Sequence, residues 1–179
     1  QIVQRVRKQY SDQLFLCYAY APYDDAPKVN RPDENLIIQF CPWLRCRTHP
    51  YGLDSCTRSV RTYQQFTGWA KITHHLWLYE YGAYTWSCPY PNLQKTARDF
   101  RFFATQGAEG WFRDICFADW WTEGINQYVD CRLAWNPQAE ADELIADYCR
   151  LFGTAQTPLV EYFQILEKAM QKAGCIFIT

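Results

Sequence analysis

A chain of 179 residues that is 49% hydrophobic can bury one sizeable core, which excludes a disordered segment. Its formal net charge of -1 supplies no field to draw in DNA or RNA. No apolar run approaches the roughly 20 residues that cross a bilayer, so neither nucleic acid nor a membrane span is expected.

In chain order, residues 1–10 read as a charged helix face and not as a signal peptide. Because the pattern opens on Gln1, the chain is expected to be a piece of a longer product. A first strand, Gln13 to Tyr20, ends in Tyr18 and Tyr20. A second, Asn35 to Cys41, runs into Pro42-Trp43. A helix is predicted from Val60 to Ile72, where Tyr63, Phe66, Trp69 and Ala70 recur at spacings of three and four and set Trp69 against the sheet. The third strand, from His75 to Glu80, ends in a carboxylate between Tyr79 and Tyr81. Pro91-Asn92 then opens a helix to Thr105, striped by Leu93, Ala97, Phe100 and Ala104. A fourth strand over residues 109–113 ends at Asp114. Helices follow over 123–133, 139–152 and 156–173, and a short strand over 175–178 closes the chain.

Strand starts near Leu14, Leu36, His75 and Gly110 are 22, 39 and 35 residues apart, too far for hairpins and suited to successive βα units in a parallel sheet. A closed (β/α)8 barrel needs about 250 residues. Four units are therefore either half of a barrel or an open α/β sheet. No Gly-rich phosphate loop follows any strand, which favours the half-barrel over a dinucleotide fold. The expected architecture is the C-terminal half of a (β/α)8 TIM-type barrel over residues 1–135, its last four strands, followed by a helical segment over 136–179. The expected partners are the remaining barrel half and carbohydrate.

The carbohydrate expectation rests on carboxylates and rings gathered at strand ends. Eight Trp and 13 Tyr exceed what a core needs, since both carry polar groups that prefer a site or an interface. Tyr18, Tyr20, Trp43, Tyr79, Tyr81, Trp86 and Trp120 are candidate stacking surfaces for a pyranose, and Arg45 is a candidate fork for a substrate carboxylate. The alternative for Arg45 and Arg47 is an ion pair to Asp54 or Asp24. Alternation along the third strand sets Leu76, Leu78 and Glu80 on one face, which is taken to point into the barrel. Glu80 and Asp114, on adjacent strands, are the candidate catalytic pair, because glycoside hydrolysis uses two carboxyl groups. The competing role for Glu80 is an ion pair with a Lys or Arg.

Nine cysteines are an odd number. Cys46 and Cys56 flank a polar turn containing His49-Pro50, and a disulfide between them is the first reading, implying an oxidising compartment. Cys41, Cys46, His49 and Cys56 as zinc ligands are the alternative, with loose spacing. No metal or cofactor enters the expected site.

The ordered blocks Cys46-Arg47-Thr48-His49-Pro50, Leu53-Asp54-Ser55-Cys56, Trp69, Tyr79-Glu80-Tyr81, Pro89-Tyr90-Pro91-Asn92-Leu93, Gly107-Ala108-Glu109-Gly110-Trp111-Phe112, Tyr128-Val129 and Leu133-Ala134-Trp135-Asn136-Pro137 resemble the DUF4838 family. That resemblance implies a domain of large, often secreted bacterial proteins, similar to the barrel glycoside hydrolases that include α-glucuronidases and β-hexosaminidases. It implies a barrel fold, a carbohydrate context, the cysteine pair Cys46 and Cys56, and an acidic residue where Glu80 stands. In the family pattern a glutamate is usual where this chain has Asp114. The expected function is that of a glycoside hydrolase-like domain acting on or binding glycans, secreted or periplasmic. The alternative is a non-catalytic carbohydrate-binding or structural module.

Overall fold

The computed structural model describes residues 2–82, 89–114 and 120–176, with Trp121 described by its backbone alone. Its strands are β1 Phe15–Tyr20, β2 Leu36–Cys41, β3 His75–Tyr81 and β4 Gly110–Asp114. They pair in that order, all parallel, as the strand spacing predicts. The helices are α1 Ile2–Val6, α2 Thr57–Ala70, α3 Leu93–Thr105, α4 Trp120–Trp135, α5 Ala141–Cys149 and α6 Gln156–Lys172. Three-residue and six-residue 3-10 turns lie at Ala21–Tyr23 and Arg150–Ala155.

Alternation decides what each sheet face does. Ala19, Ile38, Phe40, Leu76 and Leu78 turn toward the helices and join one apolar cluster. Phe66 and Trp69 of α2, Phe100 and Phe103 of α3, and Val129 and Leu133 of α4 meet them there, and the cluster extends to Tyr148 of α5 and Phe163 of α6. β2 is buried along nearly its whole length, which is why it reads as an almost unbroken apolar run. The opposite face carries Leu16, Tyr18 and Tyr20 of β1, the buried Ile37, Gln39 and Cys41 of β2, Trp77, Tyr79 and Tyr81 of β3, and Phe112 of β4. Leu16, Tyr18, Tyr20 and Phe112 are all exposed. Gly110 belongs to this face because a Cβ there would lie 2.5 Å from the Trp77 indole, and only glycine lets that ring cross β4.

The face carrying Leu76, Leu78 and Glu80 thus looks toward the helices, not toward a barrel interior. Two leucines at period two fit either side of a parallel sheet, and only the helix packing distinguishes them. The helix predicted over 139–152 also stops early, at Cys149. Gly153 has φ 58°, a left-handed conformation that breaks the run before α6 begins. The predicted strand at 175–178 does not form over its described part. Gly174–Ile176 is instead a strap: Arg47 donates its amide to the Ile176 carbonyl at 2.7 Å, and Thr48 Oγ1 bonds the Gly174 carbonyl and the Ile176 amide.

α3 receives an unusual cap from α6. The buried Glu167 carboxylate accepts the amides of Leu93 and of Gln94, the latter at 3.3 Å. Two amide donors of the first turn, otherwise without partners, are thereby satisfied next to the positive end of the helix dipole. Asn92, the N-cap residue, is then free to donate its side-chain amide to the carbonyls of Arg47 and Thr48. Glu167→Ala is expected to cost about 0.5–2 kcal/mol, the usual range for a lost cap, measured by urea denaturation.

Candidate functional site

Loop 42–56 leaves β2 and carries Arg45, Arg47 and Tyr51 over the C-terminal end of β3, on the helix side of the sheet. There the Arg45 guanidinium divides its fork. Nη1 bonds Glu80, and Nη2 bonds Asp99 of α3 at 2.8 Å. Arg47 approaches the second Glu80 oxygen at 3.5 Å, and the Tyr51 hydroxyl donates to the first at 3.2 Å. Asp99 also takes Lys95 at 2.7 Å and the Tyr51 amide at 2.9 Å. One strand over, Arg113 of β4 pairs with Asp130 and, at 3.1 Å, with Glu123, both from α4. Asn126 adds a bond to Glu123 at 3.0 Å.

Four acids, Glu80, Asp99, Glu123 and Asp130, thus face four cations, Arg45, Arg47, Lys95 and Arg113. Taking ions out of water costs several kcal/mol each, so such a layer persists only when every charge finds a partner. Burial pulls the Arg45 guanidinium down, and Glu80, Tyr51 and Asp99 more than reverse it. Burial raises the Asp99 carboxyl, and the Lys95 and Arg45 charges with the Tyr51 amide outweigh it and hold Asp99 below the usual carboxylate range. In Glu123 and Asp130 burial wins and both are raised, despite Arg113.

The cavity bordered by this layer, between Glu80, Tyr90, Lys95, Trp111, Arg113 and Asn126, holds about 60 Å³. That admits a few water molecules and falls far short of the roughly 300 Å³ at which small-ligand pockets begin. Here the carboxylates position loop 42–56. A wider groove of about 570 Å³ opens between the 3-10 turn at Ala21–Tyr23 and α2, bordered by Pro22, Asp25, Pro42, Leu44, Arg58 and Arg61. It contains neither Glu80 nor Asp114.

On the other sheet face lies a run of rings. Trp43 meets Tyr81 edge-on at 4.8 Å, Tyr81 contacts Tyr79 at 4.9 Å, and Tyr79 contacts Phe112 at 4.7 Å. Tyr20 and Tyr18 approach Tyr81 and Tyr79 from β1 at 6.4 and 6.3 Å. The Tyr79 hydroxyl donates to Asp114 Oδ2 at 3.2 Å. Among the described residues of the four strands, Asp114 is the one acid on this face.

Several expected residues therefore stand together: Tyr18, Tyr20, Trp43, Tyr79, Tyr81 and Asp114. Glu80 and Asp114 do not. Register pairs Glu80 with Arg113 and Tyr81 with Asp114, so alternation sets the two carboxylates on opposite faces of the sheet. Arg45 faces Glu80 and Asp99, not the open face, and the expected partners Asp54 and Asp24 are not the ones it takes. Trp120 opens α4 and is exposed. Trp86 lies outside the described residues.

Cys46 and Cys56 are free thiols, not a disulfide. Loop 46–56 turns Cys46 Sγ onto His49 Nδ1 at 3.3 Å and Cys56 Sγ onto Cys175 Sγ at 3.5 Å. Cys41 is turned away, its thiol bonding the Gln39 carbonyl and pushed up to about 12 by burial and Glu80. Burial raises the Cys46 thiol, but the His49 amide, the Thr48 hydroxyl and the amides of Thr48 and Ile176 bring it down to about 6.

Sequence reasoning missed Lys95, Asp99, Arg113 and Asp130. The available signal was charge at buried phases of the pattern. Asp99 sits beside the Phe100 stripe with Lys95 four residues earlier, Asp130 follows Val129, and Arg113 is in alternation with Trp111.

The class defined by these elements is a parallel α/β domain with a charge-balanced layer under its helices and an aromatic second sheet face, exposed along β1 and at Phe112. The chain belongs to the DUF4838 family, whose model, described as a domain of unknown function, matches residues 1–164. Comparison with curated proteins and with solved structures finds no significant match.

Proposed function

We propose that this domain binds glycans on the open face of its sheet, and that this face forms part of the inner wall of a (β/α)8-type barrel completed by other strands. The ring run from Tyr18 and Tyr20 through Tyr79 and Tyr81 to Trp43, with Asp114 at its edge, carries the reading. Indole and phenol faces cover the C–H faces of a sugar, and the carboxylate and hydroxyls take its polar groups. A parallel sheet is ordinarily covered on both faces, which supports the barrel.

Within this chain, binding is favoured over hydrolysis. Hydrolysis needs two carboxyl groups about 5–9 Å apart on one side of the substrate, and the open strands present Asp114 alone. A glycoside hydrolase-like activity would draw its second carboxylate from outside these four strands. An extracytoplasmic location, expected from a disulfide and from the family resemblance, now has only the resemblance behind it.

The test is calorimetric titration of the full chain with soluble gluco-, xylo- and chito-oligosaccharides and their uronic-acid-substituted forms. Trp43→Ala and Tyr81→Ala are each expected to weaken binding at least tenfold, about 1.4 kcal/mol. Wild-type affinity in both variants, or no saturable binding to any of the panel, would refute the reading.

A further inference from the structure

Three cysteines and a histidine converge where the C-terminal strap crosses loop 46–56. Cys46 Sγ and Cys175 Sγ lie 3.3 and 3.5 Å from His49 Nδ1, and Cys56 Sγ lies 3.5 Å from Cys175 Sγ. All four ligand atoms fall within 4.8 Å of one another. A tetrahedral zinc with its usual bond lengths sets S–S and S–N edges of about 3.5–3.8 Å, so movements of an ångström or less complete the polyhedron.

We propose that Cys46, His49, Cys56 and Cys175 bind a structural zinc ion as a Cys3His site. The donor set is soft and closed, with four protein ligands and no position reserved for substrate, which is the pattern of structural zinc sites. Three thiolates and a neutral imidazole carry the ion, and the thiol protons pass to solvent as it binds. The surroundings suit thiolates. Cys46 Sγ also bonds Thr48 Oγ1 at 3.7 Å, and that hydroxyl in turn holds the strap at Gly174 and Ile176, a hydrogen-bonded outer shell of the kind that orients metal ligands elsewhere.

The site ties residues 126 apart in sequence. Its effect is to pin the strap Gly174–Ile176 against Arg47 and Thr48, and so to fix the loop that delivers Arg45, Arg47 and Tyr51 to Glu80. Cys175 lies beyond the residues matched by the family, 1–164. The metal therefore adds to this chain a clasp for which the matched part supplies three ligands. It is independent of the glycan reading.

The experiment is metal analysis of the full chain purified under reducing conditions, with cobalt(II) substitution as the spectroscopic probe. The expected result is about one zinc per chain. Cobalt should give thiolate charge-transfer and tetrahedral ligand-field bands, and removing zinc with a chelator should lower the melting temperature. Cys175→Ser, at the exposed end of the clasp, is expected to weaken zinc at least tenfold and to alter the cobalt spectrum without unfolding the chain. Cys131→Ser, exposed on α4, should change neither. Absence of metal from the reduced protein even after incubation with zinc would overturn the proposal. So would iron in place of zinc, a Cys56–Cys175 disulfide in the non-reduced peptide map, or a cobalt spectrum unchanged by Cys175→Ser.

Discussion

Asp99→Asn is expected to lower folding stability by about 3–5 kcal/mol, the cost of removing one partner from a buried ion pair. The carboxylate is almost fully buried and is the shared anion of Arg45 and Lys95, while its other oxygen takes the Tyr51 amide. An asparagine of the same shape leaves two cations with reduced compensation. Lys95, already pulled down by burial and by Arg45, can relieve part of the cost by losing its proton. Lys95→Met in the Asp99→Asn background is accordingly expected to recover stability, and a double-mutant cycle by urea denaturation measures the coupling. The pH dependence has a definite sign. The folded Asp99 carboxyl lies below its usual range, so its contribution is complete above the unfolded value of about 4 and is lost as pH falls through the folded value. The gap between wild type and Asp99→Asn should therefore narrow as pH is taken below about 4, and a constant gap would contradict the assignment.

Glu80→Gln is expected to cost about 1.5–3 kcal/mol, the range for hydrogen bonds to charged groups, while leaving glycan affinity within twofold. Both oxygens are engaged, by Arg45 and Tyr51 on one side and Arg47 on the other. The residue faces a cavity of about 60 Å³ on the helix side of the sheet. Asp114→Asn is expected to behave oppositely, with a small stability change and weaker binding, since Asp114 stands with the rings. Thermal melts alongside titration separate the two. A selective affinity loss in Glu80→Gln at unchanged stability would return Glu80 to the ligand site.

Strand positions were legible because parallel βα units leave a double signature: β-branched and aromatic runs too far apart for hairpins, with amphipathic helices between them. Which face of β3 meets the helices was not legible. Leu76 and Leu78 are apolar, but so are Trp77 and Tyr79, and a parallel strand is apolar on both sides. The choice depended on Phe66, Phe100 and Phe103, whose rings come from other elements. That one ambiguity moved Glu80 from a presumed barrel mouth to an ion-paired layer and separated it from Asp114. The cysteine cluster was partly legible, since Cys46, His49 and Cys56 are close in sequence. The fourth member was sought nearby at Cys41, and the fold brings Cys175 instead from the far end of the chain.

The most direct test of the open aromatic face as the glycan surface is NMR shift mapping on the full chain, titrated with the tightest-binding oligosaccharide of the panel. The account predicts perturbations centred on Tyr18, Tyr20, Trp43, Tyr79, Tyr81 and Asp114, with Lys95, Asp99 and Asn126 unmoved. Perturbations centred on Lys95, Asp99 and Asn126, or on Pro22, Leu44 and Arg61 of the groove beside α2, with the ring run silent, would contradict it.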